Sequence, residues 1–277
     1  MLRNLFYSVF ATKHSDEWRL NIEKLSRYVD VFNARKIVVI RSDESTHDPA
    51  EVEKAFSAFK GVEFIHRRNN PVLGEVGGFI EDFAKLYSLR DDEMTFYAHT
   101  KGVKVGLRFI APIRAWRDAM YWSCLHDVSP IEHALQTYAC AGAFRALGIG
   151  AGRNKHGWHY SGTFWWVLHE PLFTAPNWDE IQNNRYGVEN YLSDVFPRYR
   201  SFCTHFDGDF DLYAPSILVG CGTCGLVRTR AATWVEGHAG ICTACGGYTD
   251  LADGKRVTRR AFRSLRRDKR RSDKART

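Results

Sequence analysis

Four cysteines near the C-terminal end of the 277-residue chain have the spacing of a metal site. They occur as C-G-T-C and C-T-A-C, separated by seventeen residues. Two such pairs can place four thiolates at the corners of a tetrahedron, which is the geometry of a structural zinc site. Matched pairs at this spacing favour zinc over the alternative of two redox pairs or disulfides. We therefore predict one structural Zn²⁺ with the ligands Cys221, Cys224, Cys242 and Cys245.

The other three cysteines, Cys124, Cys140 and Cys203, share no metal-ligand spacing. We interpret them as small buried apolar side chains. Free thiols beside a zinc–thiolate site are typical of a reducing compartment, so the sequence predicts a cytoplasmic protein.

A pair of cationic side chains follows an apolar run in the first half of the chain. His99 and Lys101 stand in H-T-K-G, directly after the strand-like run Met94–Ala98. Cations that leave the end of a parallel strand, turned by a glycine, are suited to holding an anion such as a diphosphate. The alternative is an ordinary polar loop at a strand end.

The elements that would position this pair alternate between strands and helices. Such alternation indicates an α/β fold with a mostly parallel sheet flanked by helices. The expected strands are 5–10, 36–40, 62–65 and 94–98, and the expected helices are 18–29, 49–59 and 76–89. Ligands of such sheets bind beyond the carboxyl ends of the strands, so the segments to inspect are 12–16, 41–45 and 99–104.

The middle of the chain contains further helices and one aromatic segment. We expect helices at 113–125, 131–138 and 188–196. The segment 159–167, H-Y-S-G-T-F-W-W-V, is predicted to be a single strand whose side chains alternate between two faces.

Three motifs in this order carry a family resemblance. They are H-T-K-G at 99–102, W-R-D-A-M at 116–120 and S-G-T-F-W-W at 161–166. The chain resembles a family of bacterial and viral glycosyltransferase-like proteins over about residues 4–213. This resemblance implies a GT-A-type fold, in which a Rossmann-like half binds a nucleotide sugar and a second half binds the acceptor.

The resemblance also implies roles for the cationic side chains. His99 and Lys101 occupy the strand end where many GT-A enzymes carry Asp-x-Asp and bind a divalent metal. Lys101 would neutralise the leaving diphosphate itself, so we do not expect a divalent metal to be needed for catalysis. Arg114 and Arg117 are candidates to assist, or else form a solvated helix face. The carboxylates of 207–211, D-G-D-F-D, are an alternative metal site or a turn.

The remaining site predictions concern the acceptor and the nucleotide. An inverting transfer needs a carboxylate to accept the proton of the acceptor hydroxyl. Glu189, at the start of a predicted helix, is the expected general base, although an acid there also suits the helix dipole; Asp194 is the reserve. Ser161 and Gly162 are expected to form the acceptor wall. Asp43, which follows the second strand, would contact the nucleotide or simply belong to its loop.

The charge of the chain is distributed unevenly and defines its organisation. Residues 255–277 hold twelve basic and two acidic residues, whereas 1–254 hold 27 basic and 30 acidic residues. We predict a glycosyltransferase-like domain at 1–213, a zinc ribbon at 214–254 and a basic tail at 255–277. The tail, partly helical at most, is suited to contact a polyanion such as nucleic acid or an anionic membrane surface.

Two functions follow from these patterns. With 44% hydrophobic and 26% charged residues, the chain has the composition of a globular protein. No apolar run approaches the ~20 residues of a membrane helix. The N-terminal segment is predicted to be a strand rather than a signal peptide. The leading prediction is a glycosyltransferase that moves a sugar from a nucleotide sugar to an unidentified glycan, lipid or protein. The alternative is a nucleic-acid-binding protein that uses the ribbon and tail. The acidic body favours the enzyme.

Overall fold

The computed structural model describes residues 1–103, 110–147, 155–205 and 207, together with four short strands between 218 and 250. The chain forms two compact units. The first comprises Met1–Lys104 and Ser123–Asp209, and the second comprises Val105–Trp122 and Phe210–Thr277.

The first unit is built on nine strands and six complete helices of the described residues. The strands are β1 (Leu2–Phe10), β2 (Lys36–Ser42), β3 (Val62–Arg68), β4 (Glu93–His99), β5 (Cys140–Gly142), β6 (Arg145–Leu147), β7 (Trp158–Tyr160), β8 (Trp165–Leu168) and β9 (Ser201–Cys203). The helices are α1 (Glu17–Ser26), α2 (Pro49–Ala55), α3 (Phe79–Phe83), α5 (Ser129–Ala134), α6 (His169–Phe173) and α7 (Gly187–Val195), while α4 (Ile110–Leu125) spans both units. Short 3₁₀ turns cover Val29–Val31, Gly74–Val76, Ala84–Leu86 and Arg198–Arg200.

Seven of the strands form one sheet with the order β3-β2-β1-β4-β8-β5-β9. The strands β1 to β4 pair in parallel, β8 runs antiparallel to both β4 and β5, and β5 pairs in parallel with β9. The registers Ser8↔His99 and Phe10↔Arg41 bring the carboxyl ends of β1, β2 and β4 to one edge. The prediction of a mostly parallel α/β sheet flanked by helices is therefore confirmed.

The alternation of apolar side chains along the strands supplies both faces of the sheet. On one face Phe6 of β1 contacts Phe79 and Phe83 of α3 at centroid distances of 5.7 and 5.1 Å. On the other face Tyr7 contacts Phe56, immediately after α2, at 5.9 Å. Neighbouring residues of a strand point to opposite faces, so one buried strand serves two helical layers.

The aromatic segment 159–167 is not the single strand that its sequence predicts. It is divided into β7, which pairs with β6, and β8, which lies in the main sheet. Between them Gly162 and Thr163 have φ angles of 90° and 62°. Two consecutive residues with positive φ cannot continue a strand, and Ser161 and Gly162 therefore lie in a turn.

The predicted helix 76–89 is also wrong in extent. Only α3 is helical there, followed by the 3₁₀ turn Ala84–Leu86. The reason is Gly78, which precedes α3 with a φ of 75° and breaks the apolar periodicity into separate pieces. Likewise α2 ends at Ala55, four residues before the predicted end.

The second unit contains two antiparallel strand pairs. These are β10 (Leu218–Gly220) with β11 (Val227–Thr229), and β12 (Ala239–Ile241) with β13 (Tyr248–Asp250). The basic tail lies outside the described residues. No helix in the described part of the chain is long and apolar enough to cross a membrane.

Candidate active site

Helix α1 holds the backbone of Lys101 beyond the end of β4. The buried amide of Asn21 accepts a hydrogen bond from Lys101 N at 3.1 Å and donates one to Lys101 O at 2.9 Å. Before it, Thr100 N donates to Ser8 O of β1 at 3.1 Å. The turn that follows has Gly102 at a φ of 87°. These bonds fix the direction in which the lysine leaves the sheet.

The charge of Lys101 is set by its surroundings. Burial lowers the pKa of this half-buried ammonium, whereas the negative charges of Glu189 and Glu75 raise it and the nearby Arg185 lowers it further. Lys101 thus lies within electrostatic reach of two carboxylates that come from different elements. A bound anion would add to the attraction that keeps the lysine charged.

His99, at the end of β4, contacts a protein acceptor with each ring nitrogen. Its Nδ1 is hydrogen-bonded to the carboxylate of Glu75, and its Nε2 lies 3.2 Å from the carbonyl oxygen of Gly162. These two contacts make His99 the link between β4 and the turn after β7.

Glu75 is the centre of a polar cluster beside the carboxyl end of β4. Its Oε2 accepts a hydrogen bond of 2.7 Å from the hydroxyl of Tyr97, and its backbone carbonyl accepts one of 2.8 Å from the buried guanidinium of Arg41. Burial opposes ionisation of Glu75, but the charge and hydrogen bond of His99, the Tyr97 hydroxyl and the charge of Arg41 outweigh it. Its pKa is lowered to about 2. Glu75 is therefore a fixed negative charge at neutral pH.

Glu189 lies in the first turn of α7 and reaches the turn between β7 and β8. Its Oε1 accepts a hydrogen bond from Gly162 N at 3.2 Å and lies 3.9 Å from Nε2 of His159. The same His159 nitrogen is 3.0 Å from the hydroxyl oxygen of Ser161. The carboxylate retains 22% side-chain exposure. A carboxylate, a hydroxyl and an imidazole thus meet at a partly open position.

The position of Glu189 depends on a glycine at the start of its helix. A Cβ atom on Gly187 would lie 2.2 Å from the carbonyl oxygen of Gln182 and 2.9 Å from the side chain of Val76. Only glycine allows α7 to begin this close to the preceding loop and to the turn that carries Glu75. The approach keeps the two glutamates in one site.

Five of the eight predicted catalytic and binding residues lie on or next to one path of contacts. His99, Gly162 and Glu189 form a continuous hydrogen-bonded path, and Lys101 lies within electrostatic reach of Glu189. Ser161 adjoins this path through His159.

Asp43 has another set of partners. Its Oδ1 accepts hydrogen bonds from the amide and hydroxyl of Ser45 at 2.8 and 2.6 Å, and its Oδ2 accepts one of 2.5 Å from Asn69. These bonds hold the loop after β2.

The reserve carboxylates are also committed to structural contacts. Asp194 accepts hydrogen bonds from Lys155 N at 2.9 Å and from the Gln182 side chain at 2.7 Å. Asp207 pairs with Arg145 at 2.6 Å and with Arg198 at 3.1 Å, and the hydrogen bond from Arg145 is the main reason that its pKa is lowered. The other carboxylates of this motif, at 209 and 211, lie outside the described residues.

The two arginines of α4 belong to the second unit. Arg114 is exposed, whereas Arg117 is buried and pairs with Asp118 at 2.9 Å. Buried pairing with a neighbouring acid is a structural environment for Arg117.

The predicted metal ligands are not among the described residues. All four zinc-motif cysteines lie in the segments 221–226 and 242–247. Within the ranges that the structure describes, no group of three or more His, Cys, Asp or Glu side chains is arranged to hold a metal ion. Cys124 and Cys140 are fully buried, and burial raises the pKa of each thiol to about 12.

Sequence reasoning missed three residues of this site. Glu75 stands in a loop-like segment, and no motif distinguishes it. Asn21 lies inside a predicted helix, and its residue type alone does not indicate that it bonds to Lys101. His159 could have been found, because it lies two residues before Ser161 and such side chains share a face of a strand.

Comparison with known proteins does not identify a family for this chain. No protein-family model matches the sequence, and no curated protein sequence matches it. Among solved structures, a 4-diphosphocytidyl-2C-methyl-D-erythritol synthase is similar at 14% identity and a TM-score of 0.35, over 76% of this chain and 90% of that chain. A similarity of this size shows neither a shared activity nor a shared substrate, so the function is argued from the site.

Proposed function

We propose that the protein is a glycosyltransferase that moves a sugar from a nucleotide sugar to a hydroxyl-bearing acceptor. One observation supports this proposal: Lys101, just beyond the carboxyl end of β4, lies within electrostatic reach of the carboxylate of Glu189. Ligands of open α/β sheets bind at this edge. Glycosyl transfer from a nucleotide sugar needs a cation for the leaving diphosphate and a base for the acceptor.

The chemistry assigns one step to each group. Glu189 accepts the proton of the acceptor hydroxyl as its oxygen forms a bond to the anomeric carbon of the sugar. The bond from that carbon to the diphosphate oxygen breaks, and its electron pair remains on the diphosphate. Lys101 meets the negative charge that develops there. Ser161, whose hydroxyl contacts His159, would hold the acceptor hydroxyl.

Transfer in this proposal does not depend on a divalent metal. Lys101 supplies the positive charge that a metal on Asp-x-Asp would supply. Transfer by the full-length protein should be retained in EDTA and should not rise when Mn²⁺ is added. The Cys221→Ser variant, which already lacks one zinc ligand, serves as the comparison for loss of zinc. Activity that disappears in EDTA and returns with Mn²⁺, in both proteins, would contradict this part of the proposal.

A panel of nucleotide sugars tests the function most directly. Slow donor hydrolysis, with water as the acceptor, needs the same base and the same cation, so nucleoside diphosphate release can be measured without a known acceptor. Glu189→Gln should lower the rate by about 10²–10⁴-fold while donor binding survives. Glu81→Gln is the matched control, because this exposed glutamate of α3 pairs with Arg67 of β3 and not with a residue of the proposed site. A protein that releases no diphosphate from any donor, yet binds nucleic acid, would support the alternative function.

We propose in addition that the second unit holds a structural zinc ion. The paired strands β10 and β11 enclose the segment with Cys221 and Cys224, and β12 and β13 enclose the segment with Cys242 and Cys245. Each Cys-x-x-Cys thus lies between the two strands of one antiparallel pair. This arrangement suits a ribbon in which both cysteine pairs supply ligands. Four thiolates would complete the shell and leave no position for catalytic water.

A further inference from the structure

A path of hydrogen bonds connects the polar cluster around Glu75 with the proposed base. It runs from the Glu75 carboxylate to Nδ1 of His99, and from Nε2 of His99 to the carbonyl of Gly162 at 3.2 Å. The amide of the same Gly162 donates to Oε1 of Glu189 at 3.2 Å. The residue that holds Glu189 in place is therefore itself held by His99.

The turn at the middle of this path needs external support. Gly162 and Thr163 both have positive φ, a conformation that strains the backbone of a threonine. Within the turn, Thr163 N donates to Tyr160 O at 3.0 Å. The His99 bond fixes the turn from the side of strand β4.

We propose that Glu75 is a positioning residue for Glu189 and acts through His99 and the 161–163 turn. This inference rests on the proposed role of Glu189 as the base. Glu75 holds the ring of His99 through Nδ1 and so directs Nε2 at the Gly162 carbonyl. Without the charge of Glu75 that contact weakens, and the ring is no longer fixed against the 161–163 turn.

Several charged groups face His99 from the surrounding elements. Glu75 faces it from the 3₁₀ turn Gly74–Val76, Tyr97 lies on the same face of β4, and Arg41 of β2 contacts the backbone of Glu75. On the far side of the turn lies Glu189, within reach of Lys101. Glu75 is the group that contacts Nδ1 of His99 directly, so removing its charge should weaken the contact that orients the imidazole.

The first test is the kinetics of Glu75→Gln. Its kcat should fall by about 10–100-fold, since a misplacement near 1 Å costs up to about 10²-fold. KM for the donor should not change. Glu51→Gln is the matched control, because Glu51 pairs with His47 at 3.3 Å on the surface. A wild-type kcat, or a loss that appears in KM alone, would overturn the proposal.

His99→Gln provides the second variant and keeps the test decisive if Glu75→Gln does not fold. It should show a similar loss of kcat with an unchanged KM for the donor. The double variant should be no worse than His99→Gln alone, because Glu75 acts through His99. Additive losses, or a His99→Gln variant with wild-type kcat, would contradict the path.

Amide exchange separates this inference from the proposed function. Exchange at Gly162 N should rise at least about tenfold in Glu75→Gln and His99→Gln at pH 8, and should stay at the wild-type rate in Glu51→Gln. This measurement needs no substrate. If the wild type transfers no sugar, the proposed function fails while the exchange result still decides whether Glu75 holds the turn. Unchanged exchange in both variants would overturn the inference even in an active enzyme.

Discussion

Replacing Gly187 with alanine moves the proposed base without altering any group that takes part in the chemistry. Gly187 is the first residue of α7, and Glu189 follows it in the same turn. The added methyl carbon would lie 2.2 Å from the Gln182 carbonyl oxygen, whereas real contacts of this kind stay above 3.0 Å. The obstacle is backbone, which cannot rotate away as a side chain does.

The size of the effect follows from this geometry. The start of α7 must move by about 0.8 Å to bring the contact to 3.0 Å, and Val76 at 2.9 Å prevents a simple shift toward the 3₁₀ turn. Overpacking of this kind costs about 1–3 kcal/mol of stability. A displacement near 1 Å at a catalytic group lowers kcat by up to about 10²-fold, so we expect a loss of about 10–100-fold.

The assay compares kcat, donor affinity and urea unfolding in the same preparations. Gly77→Ala is the control, because Gly77 has a φ of −59° and its nearest neighbour to an added Cβ is Arg41 at 3.9 Å. It should keep full activity and gain or lose at most about 1 kcal/mol. Donor binding should survive in both variants. A Gly187→Ala protein that is destabilised as expected yet keeps kcat within about twofold would show that catalysis does not depend on the position of Glu189.

Three further outcomes test separate parts of the argument. Lys101→Ala should lose about 2.7–4 kcal/mol of transition-state stabilisation, measured as kcat/KM for diphosphate release. A loss of kcat/KM below about tenfold would show that another group neutralises the leaving diphosphate. Because the pKa of Glu75 is lowered to about 2, its charge stabilises the fold fully above pH 4.5 and progressively less as the pH falls toward 2. When the pH is lowered from 5.5 to 3.5, the free energy of unfolding measured in urea should therefore fall by about 1–1.5 kcal/mol more for the wild type than for Glu75→Gln. Equal decreases in the two proteins would refute this. Cys221→Ser should lower the zinc content by elemental analysis and unfold the second unit alone, and wild-type protein purified without zinc would sink the zinc assignment.

The sheet could be predicted from sequence because its signals are local. The runs at 5–10, 36–40 and 94–98 are apolar over whole strands, and each is buried in the structure as β1, β2 or β4. Their parallel arrangement follows from the helices between them. The end of β7 at Tyr160 could not be predicted from the sequence. No residue type in this run of aromatic and β-branched residues indicates that Thr163 adopts a positive φ.

The site was predictable only in part, for a physical reason. Lys101 and Glu189 belong to motifs or helix starts, and their residue types indicate chemistry. Glu75 contacts His99 from a loop 24 residues earlier in the chain, and its importance comes entirely from that contact. A charge that matters through its neighbours cannot be identified before the neighbours are known.

Two glutamates act on Lys101, and their environments decide which of them can be the base. Both oxygens of Glu75 are occupied, Oε1 by the ring of His99 and Oε2 by the hydroxyl of Tyr97. With a pKa of about 2 it has little affinity for a proton at neutral pH, and an efficient base needs a pKa closer to the working pH. Glu189 is held by a backbone amide at one oxygen and lies near His159, which contacts the Ser161 hydroxyl. Glu75 is therefore a permanent counter-charge, and Glu189 is the one of the two that we propose as the base.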